Sequence, residues 1–168
     1  MNKLTILLFS ILITSAPSNA DVINGMNKNR AIECAGIFVP LTSNPDLARF
    51  SKYAKLMKKV YSYNSDTPVT NGQFSQALFE SKKRAFNDYK TSKKLAIIRL
   101  KGCLNWRDYI ARKISKNSNN SDTRNLYRGI VDISIANNIW TNKTAKRILD
   151  DGFRNYIPQP SLEEMLSK

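Results

Sequence analysis

The chain has 168 residues, with 27 Lys or Arg against 13 Asp or Glu, no histidine and a formal charge of +14. That length suits one domain with a real core, and the charge favours anionic partners. The lack of histidine excludes Ser-His-Asp and Cys-His catalysis, HExxH zinc sites and His-dependent nucleases.

At the N-terminus Lys3 precedes an apolar run, Leu4 to Ile13, followed by small residues ending Ser18-Asn19-Ala20. This is the pattern of a secretory signal peptide over residues 1–20, cleaved after Ala20. The run is too short to span a bilayer core of about 30 Å, and no later stretch reaches the ~20 apolar residues of a membrane helix. Residues 21–168 are the expected mature domain, periplasmic or secreted from a bacterium. In an oxidising compartment an even pair of cysteines forms a disulfide, so Cys34 and Cys103 are expected to be bonded. Neither a C-x-x-C nor a histidine is present to activate a thiolate instead.

Residues 21–29 are polar, contain Asn24-Gly25 and read as a loose start. A short helix is expected from about Lys28 to Val39, with Ala31, Cys34, Ala35 and Phe38 on one face and Pro40 ending it. Asn44, Pro45 and Asp46 then form a helix-start signal. The helix they open, residues 45–62, carries an apolar stripe of Leu47, Phe50, Ala54, Met57 and Tyr61. Lys52, Lys55 and Lys59 fall opposite that stripe. Thr70 with Gln73 makes a capping box for a helix bearing Phe74, Ala77, Leu78, Ala85 and Tyr89, which ends near Thr91-Ser92.

From Lys93 to Lys116 runs the most apolar helix, read as the central one. Its polar strip is Lys101, Asn105, Asp108 and Arg112, with Leu95, Ile98, Leu100, Cys103, Leu104 and Ile110 covering the rest. Residues 117–121 are a loop by composition. A helix over Asp122–Trp140 places Leu126, Ile130, Ile133 and Trp140 on one stripe, with Asn137 as a polar group inside it. Thr141 or Asn142 caps a shorter helix through Leu149, stopped at Gly152, and Ser161 with Glu164 caps a last turn. The class is all-α: a single-domain bundle of about six helices with one disulfide.

Chemistry-bearing motifs are few. No phosphate-binding or dinucleotide-binding glycine pattern occurs, and no metal or small-molecule cofactor is expected. Carboxylate chemistry on a glycan is the surviving enzymatic option, with Glu33 beside Cys34 and Glu80 before Ser81 as its candidates. Both read more simply as exposed helix carboxylates near Lys or Arg. Arg99, Lys101, Arg107, Arg112 and Lys113 interleave with Trp106 and Tyr109, a mixture that suits single-stranded nucleic acid or anionic headgroups. The preferred reading is a core helix whose charged residues reach solvent. Lys52, Lys55 and Lys59 form the candidate face for an anionic partner. Sequons at Asn119 and Asn142 would matter only in a eukaryotic secretory pathway.

The reading that results is a non-enzymatic binding protein with a strongly basic surface. Its expected partner is an acidic protein or an anionic envelope component, as for an immunity, inhibitor or secretion-accessory protein. The alternatives are a carboxylate enzyme acting on envelope glycans, or a secreted effector that binds anionic membrane or nucleic acid.

Overall fold

The computed structural model describes residue 23 and residues 26–64, 70–131, 140–154, 156–158 and 160. They form six helices and no strand: α1 Lys28–Leu41, α2 Phe50–Tyr63, α3 Asn71–Thr91, α4 Lys93–Asn117, α5 Ser121–Arg128 and α6 Asn142–Phe153. The all-α bundle and the Cys34–Cys103 disulfide are therefore as expected. The expectations for residues 1–20, for Ile133 and Asn137, and for Ser161 and Glu164 fall outside the described residues.

Helix starts follow the sequence closely because each rests on a local side-chain bond. Asn27 Oδ1 accepts from Arg30 N at 2.9 Å. The capping box of α3 is complete: Gln73 N donates to Thr70 Oγ1 at 3.2 Å and Thr70 N donates to Gln73 Oε1 at 3.0 Å. Ser92, Asn120 and Thr141 cap α4, α5 and α6 in the same way.

Some boundaries differ. Pro40 lies inside the last turn of α1, which runs one residue further. The last carbonyls there are taken up by hydroxyls: Thr42 Oγ1 donates to Val39 O and Ser43 Oγ to Pro40 O, each at 2.7 Å. The expected helix over 45–62 is split. Asn44 caps Asp46 N at 2.9 Å, which closes a tight 3₁₀ turn over Pro45–Leu47, and α2 starts afresh at Phe50. Helix α5 stops at Arg128, before Gly129, instead of continuing toward Trp140. Leu126, expected on its apolar stripe, is 60 % exposed, and Tyr127 is the buried residue there.

Two described residues of the segment expected to be loose are buried. Ile23 and Met26 are core residues, and Asn64 Nδ2 donates to Ile23 O at 2.9 Å.

Centrality is shared between two helices. Of the described helices α1 is the most deeply buried, while α4 touches every other described helix and keeps one face in solvent. The disulfide joins these two at a Cα–Cα distance of 5.3 Å. The polar strip expected on α4 needs correction. Asp108 is buried, as is Arg107, whose Nε and Nη2 both donate to Asp108 Oδ1. The Arg107 guanidinium lies 4.0 Å from the ring centroid of Tyr53. Pairing lets two charged neighbours enter a core that would reject either alone.

Two glycines mark close helix crossings. A Cβ on Gly36 would lie 2.6 Å from the backbone carbon of Ser81, so α1 and α3 meet nearly backbone to backbone. Gly152 does not stop α6 but sits inside it, where a Cβ would lie 3.0 Å from Leu41 Cα. Overpacking of this kind typically costs 1–3 kcal/mol, so Gly36→Ala should lose roughly that much in urea unfolding. Loss within about 0.5 kcal/mol would mean the crossing can open freely.

Candidate functional site

A concavity lies over the disulfide, between α1, α3 and α4, with a cavity volume of about 250 Å³. Ser81, Ala85, Ile37 and the cystine line it, and charged side chains from all three helices surround them. Helix α1 brings Arg30 and Glu33, α3 brings Arg84 and Asp88, and α4 brings Arg99. The cleft exists because Ser92 turns the chain sharply between α3 and α4, while the disulfide holds α1 against α4. Ser81 Oγ reaches Glu33 O at 3.5 Å, a long contact that keeps α3 beside α1.

The charges have unequal freedom. Arg99 Nη1 donates to Asp88 Oδ2, so that pair is internally satisfied. Arg30 Nη2 donates to Gly102 O at 3.4 Å, and its guanidinium lies 5.2 Å from the Trp106 ring centroid. The Arg84 and Glu33 side chains make no hydrogen bond or ion pair among the described residues. The cleft therefore offers one free guanidinium and one free carboxylate above a mostly apolar floor. That arrangement can bind a small polar group. Its volume is below the 300–1,000 Å³ typical of pockets for drug-sized ligands.

The residues singled out from sequence are scattered. Glu33 is exposed at the cleft, whereas Glu80 is exposed and does not line it. Lys52 and Lys55 are exposed on α2. Lys59 does not project with them: it is half-buried, and its Nζ donates to Tyr127 OH at 3.2 Å. The buried arc of α2 is Phe50, Tyr53, Leu56, Met57 and Val60, with Ala54 and Tyr61 only partly covered. The arc is turned from the expected stripe because α2 packs on α4 as well as α1, which carries Lys59 to the seam with α5. In the basic–aromatic segment of α4, Arg107 is core, Trp106 is held beneath Arg30, and Tyr109 is exposed.

Arg30, Arg84 and Asp88 were not flagged by sequence. Their only signals are the spacings of Arg30 with Glu33 and Arg84 with Asp88, which read as ordinary exposed helix pairs. Among the described residues no group of three His, Cys, Asp or Glu side chains could hold a metal ion.

A second charged cluster ties α6 to the α3–α4 turn. Asp150 accepts from Lys146 Nζ at 2.7 Å, Tyr89 OH at 2.9 Å and Lys93 Nζ at 3.0 Å. Partial burial pushes the Asp150 carboxyl up, but hydrogen bonds from Lys146, Lys93 and Tyr89 and the Lys93 charge outweigh it and hold it at about 2, against an ordinary 3.8. A folded value below the unfolded one means stability is present above pH 3.8 and is lost as pH falls toward about 2. Asp150→Asn should therefore be less stable than wild type at neutral pH and should show a shallower acid-side decline. Urea unfolding across that window checks this; parallel acid declines would remove Asp150 as their source.

No described helix is long and apolar enough to cross a membrane. Compared with known proteins, the chain matches no family model, no curated protein and no solved structure.

Proposed function

We propose that this is an exported, non-enzymatic helical binding protein that holds an acidic protein or an anionic envelope component through surface charge. One observation carries the reading: the described carboxylates leave most exposed cations unpaired. Asp88, Asp108, Asp150 and Asp151 serve Arg99, Arg107, Lys93, Lys146 and Arg154. Lys52, Lys55, Lys94, Arg112, Lys113 and Lys116 are exposed and form no ion pair among the described residues. Unpaired cations of this density raise the local concentration of anionic partners and speed their encounter.

Export is supported by the N-terminal pattern and by the disulfide, which persists in oxidising compartments. An immunity or inhibitor protein, or an accessory of a secretion apparatus, belongs to this class. Glycan cleavage calls for carboxyl groups set on either side of a bond. Glu33 is solvent-exposed, Asp88 is committed to Arg99 and Glu80 is away from the cleft, an arrangement that favours binding over that chemistry.

The test is binding to polyglutamate and to lipopolysaccharide at low and moderate salt. Wild type should bind both with a steep salt dependence. Lys52→Gln with Lys55→Gln should weaken binding and flatten that dependence, while stability stays within about ±0.5 kcal/mol. Wild-type protein that ignores both polyanions at low salt would sink the reading. Equal binding by the variant would remove these two lysines from the site.

A further inference from the structure

Helix α4 keeps a solvent face along its full length, and that face has an unusual composition. Leu95, Ile98, Gly102 and Tyr109 recur at helical spacing and so form one ridge. Leu95 is 37 % exposed, Ile98 57 % and Tyr109 55 %. A Cβ on Gly102 would meet nothing within 4 Å, so the ridge stays open at its middle. Lys94, Arg112 and Lys116 flank it on one side and Lys113 on the other, all exposed, while the exposed Arg99 is paired with Asp88. The single acidic residue of α4 is Asp108, which is buried against Arg107. The face therefore shows apolar groups, cations and the neutral amide of Asn105 over about 30 Å, with no exposed carboxylate of its own.

We infer that this face of α4 docks on an anionic lipid bilayer. The inference rests on the proposed binding of an anionic envelope component and narrows that component to a lipid surface. An apolar stripe between Lys and Arg is the composition of helices that lie in the headgroup layer, where apolar burial and attraction to anionic lipid add together. Long lysine stems lie along such a stripe while their charges stay at the phosphates. An acidic protein fits less well: a partner helix seats in a groove, and α4 presents a convex ridge. Lysine, abundant here, is also depleted where proteins meet.

The test uses the chain from Asp21 onward, which contains every described residue and lacks the apolar run of Leu4 to Ile13. Its partitioning is measured by sedimentation with phosphatidylcholine vesicles, with and without phosphatidylglycerol. Wild type should sediment with the anionic vesicles and much less with the neutral ones. Ile98→Ser with Tyr109→Ser, at two exposed positions, should keep the helical circular dichroism and lose about tenfold or more in partitioning. Arg112→Gln, Lys113→Gln and Lys116→Gln together should weaken binding and flatten its salt dependence. Wild type that ignores anionic vesicles, or an Ile98/Tyr109 variant that binds them equally well, would overturn the inference. Wild-type binding to polyglutamate or lipopolysaccharide that survives such a result leaves the broader function standing, whereas the absence of both removes it as well. Loss of polyglutamate binding alone in the Ile98/Tyr109 variant would assign the ridge to an acidic protein and overturn the lipid assignment.

Discussion

Replacing both Cys34 and Cys103 with Ser should lower the free energy of unfolding by about 4 kcal/mol. The bond joins residues 69 apart in sequence, so its loss frees a long loop in the unfolded chain. That loop spans most of α1 through the middle of α4 and includes all of α2 and α3. In the folded state Cys34 and Cys103 are buried in the floor of the cleft, so two serine hydroxyls would also face a mostly apolar setting. Urea unfolding of wild type and double variant measures the difference. A loss under about 1 kcal/mol would mean that the unfolded chain is already compact between these positions. Thiol labelling of the native wild-type protein should find no reactive cysteine, since no free cysteine remains.

Arg107→Ala should cost about 3–5 kcal/mol, because it takes the Arg107 donors away from a buried carboxylate. Arg107 is 0 % exposed and its partner Asp108 is also buried. Its guanidinium covers the Tyr53 ring, so truncation also opens a void between α2 and α4. The guanidinium is not fully satisfied even in wild type, since Nη1 has no hydrogen-bond partner. A buried ion pair therefore contributes less to stability than its rupture costs. Arg107→Met with Asp108→Asn should accordingly be more stable than Arg107→Ala, although it removes both charges. Urea midpoints for the three chains decide this. Arg107→Ala within about 1 kcal/mol of wild type would mean that the Asp108 carboxylate stays satisfied once the arginine is gone.

Legibility in the sequence followed the range of the interactions. Caps such as Thr70 with Gln73 act within three residues, so the helix start they set could be read directly. The disulfide followed from there being only two cysteines. What escaped the reading depends on partners distant in the chain. Arg107 looked solvent-bound because its tolerance for burial comes from Tyr53 on another helix. Gly152 looked like a stop signal because its actual constraint, the approach of Leu41, is more than a hundred residues away. Lys59 was grouped with Lys52 and Lys55 by helical arithmetic, which does not know that Tyr127 waits at the seam. The cleft was invisible for the same reason: Arg84 and Glu33 meet around one cavity only once α3 is packed on α1.

Helix α5 is anchored by a single buried side chain, Tyr127, and it lies outside the loop closed by the disulfide. Its amides should be among the first helical ones to exchange with solvent, through local opening that leaves α1 to α4 closed. Ser115 Oγ donates to Arg124 O at 3.2 Å and gives α5 one further hold on α4. Each opening also takes away the hydroxyl that holds the Lys59 ammonium. The basic edge of α2 thus carries a breathing charge, tethered while α5 is docked and free to join Lys52 and Lys55 when it lifts.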